Sequence, residues 1–276
     1  MIHLFEKKPK TIDNKYGIEE VSDKDVFKKG PCIIVILAKT WFLSSINGAM
    51  KLVANLVNPD IDENYNPDKR IFGIASGEME PILYSDDMCF SEDEPKHDHM
   101  SDFVDTYLVP LVSNNGKKID VDEAMRNMRN INFITYCNGS MIYGVIEIVL
   151  AIKMRILCYT EEEIKLILSQ MCLAAVSGDI EFNNTRATTL LFTDKNDSID
   201  EGLKESMQKC DGYYRFIVDG DGKHDFTKYL QDDPKLSSAI KGYLNRALVA
   251  QAPIDKEHLI LDDNPLALKM TKRSTK

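Results

Sequence analysis

Three side chains of the kinds that open acyl bonds occur in the order hydroxyl, carboxylate, imidazole along this chain: Ser140, Asp194 and His224. Each follows a run of residues with strand character. Ser140 comes after the run 131–137 and an Asn138-Gly139 turn. Asp194 follows the run 187–193. His224 follows the run 213–219, in a loop framed by Gly220 and Gly222. A serine hydroxyl is a poor nucleophile until an imidazole takes its proton. The imidazole in turn needs a carboxylate that fixes its tautomer and steadies its charged form. The chemistry expected of the three together is attack on an ester or related acyl carbon.

Each residue also has a plainer reading. Ser140 is a preferred helix N-cap. Asp194, like its alternative Asp197, can end a strand and cap the helix after it, and His224 can be a surface-loop histidine. Cys137 sits inside the predicted strand and reads as a core thiol. His97-Asp98-His99 has no recognisable third and fourth ligand and reads as a solvated loop. The segment 219–225 begins like a calcium loop but lacks the glycine at position six and the distal glutamate of an EF-hand. No metal and no cofactor is expected.

The elements that must hold these groups follow from hydrophobic patterning. Residues 31–38 form a continuous apolar run of strand length, the pattern of a strand buried on both faces. Phe42, Ile46, Met50, Val53 and Val57 then share one helical face. Further strands are expected at 71–76, 131–137, 173–177, 187–193 and 213–219. Helices are expected from Ser101 to a limit at Pro110, over 120–129, over 141–157, and from the Thr160-x-x-Glu163 capping box through 171. Two more are expected over 198–209 and 226–250. Regular alternation of strand and helix predicts an α/β fold: a mostly parallel central sheet with helices on both faces. Active groups in such sheets stand at the carboxyl ends of strands. Residues 1–29 read as an N-terminal arm or edge hairpin, 30–250 as the domain proper, and 251–276 as an irregular tail.

The run Asn138-Gly139-Ser140-Met141-Ile142-Tyr143-Gly144, between a β-rich segment and an apolar helix, resembles the nucleophile elbow of the α/β-hydrolase family. The resemblance covers about residues 30–250, as element order and three motif positions. It implies a Ser140-His224-Asp194 triad. The oxyanion donors it implies are the N–H of Met141 and one from the loop near Lys39 or Thr40. The family pattern has small residues two before and two after the nucleophile, where this chain has Asn138 and Ile142. A register shifted by one places Gly139 at the tip instead, and the protein is then an inactive member of the fold that serves binding or interaction.

Composition excludes other classes. The 276 residues carry 34 Lys+Arg against 44 Asp+Glu, a formal net charge of -10. Such a chain is not expected to bind nucleic acid through its general field, and anionic lipid should repel it. The partner expected is a small acyl substrate, or a protein if the site is inactive. The six cysteines include no C-x-x-C pair, which reads as buried thiols in a reducing compartment. No secretory signal is visible at the N-terminus and the longest apolar stretch carries Glu147, Lys153 and Arg155, so a cytoplasmic protein without a membrane span is expected. A nucleotide-binding reading lacks any G-x-G-x-x-G or P-loop run.

Overall fold

The computed structural model describes residues 2–5, 18–20, 26–36, 71–74, 97–137, 139–176, 185–194, 196, 213–218, 222, 240 and 269–270. In chain order its strands are β1 (Ile2–Phe5), β2 (Ile18–Glu20), β3 (Cys32–Ile36), β4 (Ile71–Ile74), β5 (Ser113–Asn114), β6 (Lys117–Lys118), β7 (Ile131–Tyr136), β8 (Cys172–Val176), β9 (Thr188–Asp194), β10 (Tyr213–Val218) and β11 (Lys269–Met270). Apart from the small β5-β6 hairpin, they form one sheet in the order β11-β10-β9-β8-β7-β3-β4-β1-β2. Every pairing in that sheet is parallel except β10 with β11. The protein is therefore α/β with a mostly parallel sheet.

The middle of the sheet follows from composition. Every residue of β3, β7 and β8 is buried. Strands without a polar face need cover on both sides, and parallel sheets provide it. Register is consistent across the core: Ile34 stands beside Phe133, Phe133 beside Leu173, and Leu173 beside Thr189.

One face of the sheet carries all the described helices of a turn or more. These are α1 (His97–Phe103), α2 (Val109–Val112), α3 (Val121–Met128), α4 (Gly139–Ile156) and α5 (Glu161–Leu168). Their apolar residues form one core with Cys32, Ile34, Ile36, Ile131, Phe133, Leu173 and Ala175. Phe133 meets Tyr143 of α4 edge to face, with ring centroids 4.8 Å apart. Between α1 and α2 the chain makes a π-helical turn, Val104–Leu108, which ends two residues before Pro110. Proline offers no N–H to the turn before it and its ring crowds that turn's carbonyl, so a widened turn relieves the conflict. Thr160 caps α5 as the sequence predicts, with Glu163 completing the reciprocal box. The opposite face of the sheet, including Ile33, Val35, Ile134 and Phe192, is buried too. The expected helices over 42–57, 198–209 and 226–250 lie outside the described residues, save Ile240, which is helical and buried.

Several expectations need correction. Within residues 1–29, β1 and β2 lie at one edge of the main sheet and pair parallel, not as the antiparallel hairpin expected as one alternative. A hairpin is antiparallel by construction, whereas parallel strands need a crossover between them. The tail contributes β11, antiparallel to β10. His97-Asp98-His99 opens α1 rather than a loop. The helix expected at 141–157 begins at Gly139 and is not buried all round. Ile148, Ile152 and Ile156 are 43 %, 44 % and 71 % exposed. None of the described helices is long and apolar enough to cross a membrane.

Candidate functional site

Strand order reverses between β3 and β7. From β3 the chain goes to β4 on one side, and β7 continues to β8 on the other. In open parallel sheets the crevice at the carboxyl ends of two such strands is where ligands bind. The sequence at that point is Tyr136-Cys137-Asn138-Gly139-Ser140.

Cys137 makes the turn from strand to helix with φ +51. Its N–H still donates to the Val176 carbonyl of β8 at 3.2 Å, so the ladder holds up to the turn. Its carbonyl accepts from the Ser140 N–H at 3.1 Å, closing the first turn of α4. Among the described residues, two other non-glycine residues have positive φ, Asn115 (51) and Cys158 (67). Each has a routine cause. Asn115 is in the tip of the β5-β6 hairpin, and Cys158 lies just past α4, where left-handed residues commonly end helices. Cys137 has neither. A non-glycine residue in this region carries strain that the surroundings must hold, and such strain concentrates at functional sites.

Ser140 lies just past this turn. It is 0 % exposed, on the first turn of α4, facing the sheet. Its Oγ shares a 2.5 Å hydrogen bond with Thr135 Oγ1 of β7. Thr135 stands on the helix-covered face, in register with Ile36 and Ala175. The hydroxyl pair ties strand to helix beneath the turn. The residue at the apex is thus Cys137, half-buried. Two positions to either side of Cys137 stand Thr135 and Gly139, and two positions to either side of Ser140 stand Asn138 and Ile142. Ile142 is buried in the core.

Asp194 ends β9, in register with Val218 at the end of β10. Its backbone lies on the same sheet edge as Cys137, two strand spacings away, about 10 Å. Its side chain, with Lys39, Thr40, Asn138, Asp197 and His224, lies outside the described residues. Met141 is half-buried in the first turn of α4. The loops after β9 and β10 touch: Gly222, at φ +72, lies so close to Asn196 that a Cβ there would stand 2.5 Å from the Asn196 carbonyl oxygen. That contact joins the residue two past the end of β9 to the residue four past the end of β10.

Glu147 was legible only as a charge inside an apolar run. It is 2 % exposed. Tyr143, one helical turn earlier, donates its hydroxyl to Oε2 at 2.8 Å, and the Arg186 N–H donates to Oε1 at 2.6 Å. The Arg186 guanidinium stands 3.8 Å away. Burial pushes the Glu147 carboxyl above its usual range, against the lowering effect of these donors. The cluster joins α4 to the start of β9, the edge of the sheet opposite Cys137, and so reads as a structural pin. Among the described residues, no group of three or more metal-ligating side chains gathers. No protein-family model matches the chain and no curated protein matches it.

Proposed function

We propose that this chain is an α/β-hydrolase-like enzyme of acyl transfer, acting on an ester or related acyl bond, with its nucleophile at the β7–α4 turn. The observation that carries the reading is the left-handed Cys137 at the switch point of the sheet. Within this reading Cys137 takes the place that the sequence assigns to Ser140, whose hydroxyl is enclosed against Thr135. A thiolate attacks the carbonyl carbon, the bond to the leaving alcohol breaks, and the alcohol takes a proton. Water then cleaves the thioester, releasing the acid and restoring the thiol. His224 would carry the proton in both steps and Asp194 would orient it, a division of roles supported by chain order and by the Asn196–Gly222 contact.

The test is reaction with p-nitrophenyl acetate, followed by mass spectrometry of the acylated peptide. Expected is a burst of nitrophenolate with the adduct on Cys137, lost in Cys137→Ala and kept in Ser140→Ala. Cys158, exposed on the surface, serves as the reference for unassisted thiol acylation. An adduct on Ser140 restores the serine form of the mechanism. Acylation of Cys137 no faster than Cys158 leaves the second reading, a non-catalytic binding module, which the enclosure of Ser140 favours.

A further inference from the structure

The chain contains three Asn-Gly dipeptides, at Asn47, Asn115 and Asn138. This pair is the one most prone to spontaneous deamidation. The backbone nitrogen of glycine, with no side chain to shield it, attacks the asparagine Cγ. Ammonia leaves, a succinimide ring forms, and water opens it to aspartate or to isoaspartate, in which the main chain runs through the side chain. Sequence alone makes the three equivalent. The structure does not.

We propose that Asn115 is a site of spontaneous deamidation and isoaspartate formation, while the fold protects Asn138. Asn115 and Gly116 are both exposed, at φ +51 and +71, as the two central residues of a type I′ hairpin turn. Nothing stands within 4 Å of a Cβ placed on Gly116, so no neighbouring group crowds the tip of the turn. Attack requires the turn to open. The strands that hold it are two residues each, pairing Ser113 with Lys118 and Asn114 with Lys117, with one long bond from the Ile119 N–H to the Val112 carbonyl (3.5 Å) below them, and hairpins of that size are marginal. By contrast Gly139, whose nitrogen must attack Asn138, is buried in the first turn of α4. For that nitrogen to be reached, the first turn of α4 must open.

The product has a structural consequence. Isoaspartate adds a carbon to the backbone of a two-residue turn and adds a negative charge. The insertion falls next to the pairing of Asn114 with Lys117 and should disturb it first. Lys118 is the hairpin's anchor: its ammonium donates to both carboxylate oxygens of Glu163 at 2.6 Å and lies 4.7 Å from the centre of the Tyr159 ring. Glu163 also accepts from the Thr160 N–H at the cap of α5.

The experiment is prolonged incubation of the intact protein in mildly alkaline buffer, with peptide mass spectrometry and chromatographic separation of the aspartate and isoaspartate forms. In the folded protein, the peptide holding Asn115 should convert at least about tenfold faster than the one holding Asn138, since frayed tips open for almost no free energy and core helices do not. In denaturant the two should convert at similar rates. The proposal is overturned if Asn115 reacts no faster than Asn138 in the folded protein. It is equally overturned if Asn138 stays slow in denaturant, because its protection is then not the fold's.

Discussion

At the scale of single residues, hydroxyl and carboxylate groups in the core are used to fasten elements together. Ser140 and Thr135 satisfy each other where neither reaches water. Ser140→Ala should therefore lower stability by about 1–3 kcal/mol, because Thr135 is left with a buried hydroxyl and no partner from α4. Urea unfolding measures this. Unchanged stability together with lost esterase activity would show that the hydroxyl does chemistry. Glu147 carries a pH dependence whose sign follows from its environment. Burial raises its folded pKa above 4.5. The neutral form therefore favours folding, and its contribution is full below the unfolded value and lost as pH rises through the folded one. The loss is about 1.4 kcal/mol for each unit separating the two. Glu147→Gln keeps the shape and removes the titration, so its stability should change less than that of the parent protein over this window. An unaltered pH profile would refute the assignment.

At the scale of elements, junctions matter more than interiors. The capping box at Thr160 ties three groups into one short segment: Glu163 serves the cap, the Lys118 ammonium and, through Lys118, the β5-β6 hairpin. Lys118 holds the Glu163 carboxyl below its usual range. That contribution to stability is present above the unfolded pKa and is lost as pH falls through the folded one, opposite in sign to Glu147. Thr160→Ala should cost about 1 kcal/mol, read by thermal unfolding. Gly222 is a second such junction. A side chain there meets the Asn196 carbonyl and must also adopt φ +72. Gly222→Ala should cost about 1–2 kcal/mol from backbone strain alone, more with the clash. If the two loops shape the active site, it should reduce ester turnover beyond its effect on stability. Wild-type stability in this variant would mean that the loops do not hold each other.

At the scale of the whole molecule, the sheet has edges that the N- and C-terminal strands occupy. β1 and β2 cover β4 on one side, and β11 covers β10 on the other. Deleting residues 1–29 should bare the edge of β4, a template for pairing with other chains. The truncated protein should elute as aggregates in size-exclusion chromatography, where the full chain should not. A monomeric truncation of undiminished stability would favour the reading of 1–29 as a detached arm.

The strands at the centre of the sheet were readable from their residues because a strand buried on both faces is mostly apolar, as 32–36 is throughout and 131–136 is apart from Asn132 and Thr135. The capping box of α5 was readable because its partners are three residues apart. Pairing was not readable: β1 and β2 are short and local pattern says nothing about which distant strand receives them. Nor was the apex of the β7–α4 turn. The choice among Cys137, Gly139 and Ser140 depends on where the ladder with β8 stops and where α4 meets the sheet. Those are contacts with residues far along the chain, and only the tertiary structure decides them.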